Sequence, residues 1–300
     1  MKSSTKSYLG IIGLIVVTII WGGGFVVSDI ALDTLTPFQI LTGRFFIGTV
    51  LLFPLSIKAL KRISKAEIKA GIILGAFLFS GFALQTVGLQ YTTLSKNAFL
   101  TATNVVIVPF IAFVIYKKKM SPQGVAGAIV AVIGAGVLSL NESFSLGVGD
   151  TLTLACAVCF AFQIFLTGEY VKRYSVMALN FFQIATAFVM SAVGLLCTKG
   201  TVNIQANTDG ILAVVYLGVG STTITYLLQT VSQRYVDETK SAVILSMEAV
   251  FGTIFSIILL HEMVTIKMII GCALILGAVL ISEVKIKGKN DCFSVKMFTN

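Results

Sequence analysis

The sequence predicts an all-α integral membrane protein whose ten transmembrane helices form two inverted five-helix repeats, and three observations carry that prediction. Of 300 residues, 56% are hydrophobic and only 12% charged, a balance that places the chain in a bilayer rather than in water. Apolar runs long enough to cross ~30 Å of hydrocarbon recur along nearly the whole length, leaving room only for short loops and tails. The stretch Gln85 to Tyr116 also returns, without a gap, as Gln229 to Leu260. Gln85, Thr86, Val87, Tyr91, Lys96 and Ala98 fall on Gln229, Thr230, Val231, Tyr235, Lys240 and Ala242, and the same register carries Gly127 onto Gly271. Upstream the duplication is looser, with the Trp21 to Phe46 region laid over the region that begins at Phe160.

The spans read, in order, as 8–28, 36–57, 67–89, 96–116, 122–140, 150–171, 176–198, 209–233, 240–260 and 265–284. The first follows Lys2 and Lys6 in the manner of a signal peptide. It runs into Trp21-Gly22-Gly23-Gly24 with no small-residue cleavage site, so it is expected to be retained. Span four contains Pro109, which frees a backbone carbonyl and allows a kink there. The expected organisation is a first repeat over 1–140, an outer linker over 141–149, a second repeat over 150–284 and a cytoplasmic tail over 285–300.

The net charge of +9 sits in alternate loops rather than in a basic patch, which argues against nucleic acid as a partner. One side collects Lys2, Lys6, the Lys58 to Lys69 loop, Lys117 to Lys119, Lys172, Arg173, Arg234, Lys240 and the basic tail; the other has Lys96, Lys199 and Lys267. This bias predicts that both termini face the cytoplasm of a multi-pass protein in the inner (cytoplasmic) membrane. Five spans per half then force the second copy to enter from the opposite face, as an inverted repeat requires.

Cys156, Cys159, Cys197 and Cys272 lie inside apolar segments, where thiols behave as small hydrophobes. No disulfide framework follows, and the lone CxxC of Cys156 and Cys159 has no second pair to make a metal site. No cofactor and no metal is expected.

Polar side chains within spans are costly in hydrocarbon and should face a cavity or one another. The uncharged set comprises Gln85, Asn97, Asn104, Gln163, Asn180, Gln183 and Gln229. Each amide both donates and accepts, so the set suits a small polar solute, and helix-to-helix hydrogen bonding is the equal alternative. Asn97, Thr101, Asn104 and Val108 share one face of span four at spacings of three and four. Trp21 beside its glycines reads as a cavity wall or an interfacial anchor, and Tyr226 as a weaker aromatic candidate. Arg44 and Glu248 are the deepest charges, ~10 Å and ~12 Å from opposite faces by helical rise. They would form either a structural ion pair or, at Glu248, a group that exchanges a proton or a substrate ammonium. The small-residue stripes Gly127, Ala131, Ala135 and Ala273, Gly277 serve packing within the subunit or a homodimer contact, and the sequence does not choose between them.

Trp21-Gly22 with Phe25, Pro37 followed by Arg44, the Thr92 to Pro109 run, and Glu248 with His261-Glu262 and Gly271 together resemble the EamA-type branch of the drug/metabolite transporter superfamily. The likeness covers almost the whole chain. It implies ten helices, a cavity shared by both halves, and movement of small organic solutes such as an amino acid or related metabolite, often outward. One departure stands out: the family pattern has an acid at the end of the fourth span of each half, kept here by Glu262 but replaced in the first copy by Lys117 to Lys119.

The chain carries no nucleotide motif, so energy would come from an ion gradient, with protons leading, or from the solute's own gradient. A membrane enzyme is the competing class. His261-Glu262 opens a zincin-like pattern whose fifth position is Thr265, and it is the chain's one histidine. Gly218-Val219-Gly220-Ser221 is not a nucleophile elbow, so no catalytic set is assigned. A structural membrane protein without transport activity is the remaining alternative.

Overall fold

The computed structural model describes residues 3–118, 121–139, 147–198, 207–259 and 263–283. These fold into helices α1 (Ser3–Leu32), α2 (Pro37–Leu60), α3 (Lys65–Leu89), α4 (Leu94–Ala102), α5 (Asn104–Val114), α6 (Pro122–Ser139) and α7 (Val148–Tyr170). They continue as α8 (Val176–Cys197), α9 (Thr208–Gly218), a π-helical turn (Val219–Ile224), α10 (Thr225–Gln233), α11 (Glu238–Leu245), α12 (Glu248–Leu259) and α13 (Ile266–Glu283). No strand occurs among the described residues. Seven helical stretches among them are long and apolar enough to cross a membrane, and Pro122–Val137 and Ile266–Ser282 are shorter apolar helices. The expected tail, most of the linker, and His261 with Glu262 lie outside the described residues.

Short, capped turns reverse the chain. Thr36 Oγ1 accepts from Gln39 N at 3.4 Å while Gln39 Oε1 accepts from Thr36 N at 2.9 Å, and Pro37 occupies the first helical position, where an N–H would lack a partner. Ser64 and Glu67 repeat the same reciprocal cap at α3. Asn207 and Asp237 cap α9 and α11 through the amides of Gly210 and Lys240.

Spans four, eight and nine, expected as single helices, are interrupted. The break after Ala102 leaves Thr103 outside α4 and α5, six residues before Pro109, which sits buried inside α5. Its counterpart separates α11 from α12 at Ser246 and Met247. The register that carries Gln85 onto Gln229 carries Leu94 onto Glu238 and Asn104 onto Glu248, so both pieces start at matched positions. Proline is not the cause, because the second copy has Thr253 where the first has Pro109. Both breaks instead carry a hydroxyl that donates to the carbonyl three residues back, Thr103 to Leu100 and Ser246 to Val243, each at 2.6 Å. Such back-bonding competes with the helical ladder, but Thr18 makes the same bond within unbroken α1, so the hydroxyl accompanies the two breaks without alone causing them.

Two groups of helices face each other. In one, α7 lies along α3 and along both α4 and α5; in the other, α1 lies along α9, α10 and α12. Helix α2 packs on α8 and α9 to their side, and α6 pairs with α13. The α1–α12 contact is close enough that a Cβ at Gly22 would stand 2.7 Å from the Gly252 amide nitrogen. Along α6, Ala131 and Ala135 are fully buried against α13 and Gly134 abuts the Gly271 carbonyl, so this stripe serves packing within the subunit. Ala273 is exposed and Gly277 meets nothing within 4 Å, so the seam on α13 runs instead through Gly271, Ile275 and Ala278.

Side-chain contacts fix the two ends of the molecule. Ser175 N donates to Glu67 Oε1 at 2.7 Å and Ser56 donates to the Met177 carbonyl, which gathers the end of α2 and the starts of α3 and α8. Lys118 bonds Glu169 and Glu238 there, adding the ends of α5 and α7 and the start of α11. At the opposite end Thr92 donates to Asp150, and Thr34 meets Asn207.

Candidate functional site

A cavity with about 750 Å³ of non-protein space, open solvent included, lies between the two helix groups. Nine of the residues singled out from the sequence border it: Trp21, Arg44, Gln85, Asn97, Thr101, Asn104, Gln163, Tyr226 and Glu248. Two do not. Gln183 and Gln229 stand behind Gln163, whose Nε2 donates to Gln183 Oε1 at 3.1 Å and whose Oε1 accepts from Gln229 Nε2 at 3.4 Å. Asn180 is likewise buried away from the cavity, accepting from Thr230 and donating to the Val176 carbonyl.

The π-helical turn anchors one wall. Widening the helix there takes the Ser221 carbonyl out of the regular ladder, and that oxygen accepts from Trp21 Nε1 at 3.1 Å, Arg44 Nη2 at 3.3 Å and Thr225 Oγ1 at 2.8 Å. Trp21 Nε1 also donates to Thr225 Oγ1 at 3.0 Å, and Arg44 Nε to Thr222 Oγ1 at 2.9 Å. The indole is therefore held through its one N–H, shared between two acceptors, with its ring centroid 5.3 Å from that of Tyr226 and the planes tilted by 51°. Phe82 covers the Arg44 guanidinium at 4.1 Å, a cation–π contact that in a desolvated setting contributes ~2 kcal/mol toward the cost of burying the charge.

No ion pair joins Arg44 to Glu248: the guanidinium is engaged by Ser221, Thr222 and Phe82. Glu248, at the first position of α12, borders the cavity with no hydrogen bond or ion pair to another described residue. Its matched residue in the first copy, Asn104, borders the same cavity at the first position of α5. An unmatched carboxylate and an amide thus occupy corresponding positions beside the two breaks.

The amides on the other wall are partly satisfied. Gln85 Nε2 donates to Thr101 Oγ1 at 3.1 Å, and Asn97 Nδ2 to Thr153 Oγ1 at 2.9 Å and to the Gln85 carbonyl at 3.1 Å. Asn97 Oδ1 is buried with no hydrogen-bond partner among the described residues, an acceptor left over in the wall. Gln85 and Gln229, equivalent by register, differ in place: Gln85 borders the cavity and bonds α4, whereas Gln229 is fully buried and bonds α7.

Sequence reasoning missed Ser28, Phe82, Thr86, Phe160 and Ser221 among the cavity residues. Ser221 enters the sequence reading only within Gly218-Val219-Gly220-Ser221, which is not a nucleophile elbow. The Ser221-Thr222-Thr223 run inside an apolar span was the available signal, since consecutive hydroxyls there need partners.

The described residues hold no cluster of three or more His, Cys, Asp or Glu that could bind a metal ion. The EamA-like transporter family model matches residues 8–140 and again 147–283, and the chain belongs to that family. It is 34% identical over 275 residues to an uncharacterized transporter of Archaeoglobus fulgidus, covering 92% of this chain and 86% of that protein. The uncharacterized transporter YoaV of Bacillus subtilis is 24% identical over 271 residues, covering 88% and 93% of the two chains. A crystal structure of another protein shares the fold, with a TM-score of 0.77 at 19% identity over 93% of this chain and 96% of that one.

Proposed function

We propose that this membrane transporter moves a small organic metabolite carrying an amino group, an amino acid or a related compound, outward across the inner membrane by alternating access. The observation that carries the reading is Glu248, a carboxylate bordering the cavity between two helix groups with no basic partner among the described residues. A substrate ammonium supplies the missing charge, the amides of Gln85, Asn97 and Asn104 address its polar atoms, and Trp21, Tyr226 and Phe160 face its apolar body.

The cavity serves both membrane faces through ten crossings in two inverted five-helix units, residues 1–140 and 150–284 joined by the outer linker 141–149. The duplicated register, the matched helix breaks and the twofold family match all support this arrangement. The lysine-rich end, with the tail 285–300, faces the cytoplasm, because positive loops are retained inside. With no nucleotide motif, a proton or the solute's own gradient supplies the energy, and Glu248 is the residue that would alternate between a proton and the ammonium.

Uptake and efflux by the purified chain in liposomes, against labelled amino-bearing and non-amino metabolites with and without a proton gradient, test this reading. Saturable flux of an amino-bearing solute that Glu248→Gln lowers by an order of magnitude is expected. Equal transport by Glu248→Gln with unchanged pH dependence would remove both roles given to Glu248.

A further inference from the structure

At the lysine-rich end of the molecule, four charged side chains that do not line the cavity form a closed ring. Lys118 Nζ lies 2.6 Å from Glu169 Oε1 and 3.1 Å from Glu238 Oε1, and Lys172 Nζ lies 2.7 Å from each of the same two oxygens. Glu169 and Lys172 are at the end of α7, and Lys118 follows α5, so these three belong to one helix group. Glu238 opens α11, which lies along α1 of the other group and leads within two residues into α12, while also touching α5 and α7. The ring's two contacts to Glu238 therefore tie one group to the other.

Two features of the backbone place these groups. Lys117 has φ +53°, the left-handed conformation that a residue with a Cβ adopts at a cost, and it ends α5 so that Lys118 N reaches back to the Ala112 carbonyl at 3.0 Å. Lys118 is thereby turned toward α7 and α11. Across from it Gly168 forms the seat: a Cβ there would stand 2.5 Å from Glu238 Cγ, so only glycine lets the glutamate side chain lie against α7. Glu238 is 5% exposed. Burial alone would lower the ammonium pKa of Lys172, but the bonds to Glu169 and Glu238 outweigh it and hold that pKa above the usual lysine value.

The contacts between groups are unequal along the molecule. At the ring's end α11 packs on α5 and α7, and Gln233 of α10 donates to the Ile164 carbonyl of α7 at 3.0 Å. Toward the other end the cavity runs between the groups as far as Ser28, near the end of α1, and Leu89 and Asn97, on either side of the α3–α4 turn. These direct bonds between the groups lie at the ring's end, while the cavity lining extends between the groups toward the other end.

We propose that Glu238, held by Lys118 and Lys172, is the gating residue that keeps the lysine-rich end shut while the cavity faces the opposite side, and that its release is the step that opens that end. The inference rests on the alternating-access reading of the same cavity. In the opposite state the two Glu238 contacts separate while Lys118–Glu169 and Lys172–Glu169 persist, because those pairs lie within one group. Partly buried pairs with more than one partner hold such a state, yet lysines open to water at one edge can rehydrate when it opens.

Hydrogen–deuterium exchange on the full chain in lipid nanodiscs tests the proposal, comparing wild type with Glu238→Gln, with Lys118→Met, which removes a partner from a partly exposed position, and with Arg173→Gln as a charge loss at the same end. Roughly tenfold faster exchange confined to segments 164–171 and 233–245, with slower exchange around 90–94, is expected for the first two variants and not for the third. Unchanged exchange in variants that melt as wild type does would overturn it. So would faster exchange spread over the whole chain with a lower melting temperature, since that is the mark of a merely structural ring. Transport without the exchange shift removes the gate alone; the shift without transport of any solute removes the transport reading and leaves the closure.

Discussion

Trp21 illustrates how single residues set this cavity. Its N–H bonds to Ser221 and Thr225 hold the ring against Tyr226, so the indole acts as a fixed wall. Trp21→Phe keeps an aromatic face and loses both bonds. We expect a loss of about 1 kcal/mol in stability from the unmade hydrogen bonds, read as a melting temperature lowered by a few degrees, together with several-fold weaker substrate binding. A variant that melts lower yet binds as wild type would make Trp21 a purely structural residue. Arg44→Lys tests the facing contact, because an ammonium cannot reproduce the fork that reaches Thr222 and Ser221 together while lying over Phe82. Its expected signature is a loss of thermal stability larger than that of Trp21→Phe. The polar face of span four was legible from spacing alone, since helical periodicity places Asn97, Thr101 and Asn104 together, and all three border the cavity. The partners of Arg44 were not, because they arise from a π-helical turn whose local composition differs little from that of an ordinary apolar helix.

Helices show the same division between what periodicity reveals and what packing decides. The apolar runs and their caps mark where each helix begins, and the duplication marks which helices correspond. The breaks at Thr103 and Ser246 escaped because serine and threonine disturb a helix only weakly, whereas Pro109, the louder local signal, sits in an intact helix. Pro109→Ala should therefore leave the break and transport in place, which helix-resolved exchange and flux can both check; loss of transport would return the proline to a gating role. Two glycines, one within the α6–α13 seam and one off it, make a sharper pair. Gly134→Ala drives a Cβ to 2.9 Å from the Gly271 carbonyl and should cost about 1 to 3 kcal/mol by overpacking. Gly277→Ala meets open space and should change thermal stability little. Equal melting temperatures for the two variants would mean that α6 and α13 do not hold the close approach described.

On the scale of the whole molecule, two helix groups meet at one end through the Glu238 contacts and part toward the other around the cavity. The duplicated register pairs Gln85 with Gln229, yet the two lie in different surroundings, Gln85 bordering the cavity and bonding α4, Gln229 buried and bonding α7. The charged ring was equally out of reach, since Lys118, Glu169, Lys172 and Glu238 come from distant segments that only the packed helices bring together. Alternating access makes one demand that a pore or a structural protein does not. Solute waiting on the far side must speed the return of the cavity, so flux in one direction rises when the other side is loaded. Counterflow in liposomes measures this directly, with labelled amino-bearing solute outside and unlabelled solute trapped inside. The account predicts accelerated, saturable uptake of label by the wild-type chain and its loss in Glu248→Gln. Uptake that stays proportional to concentration and ignores the trapped solute would contradict it.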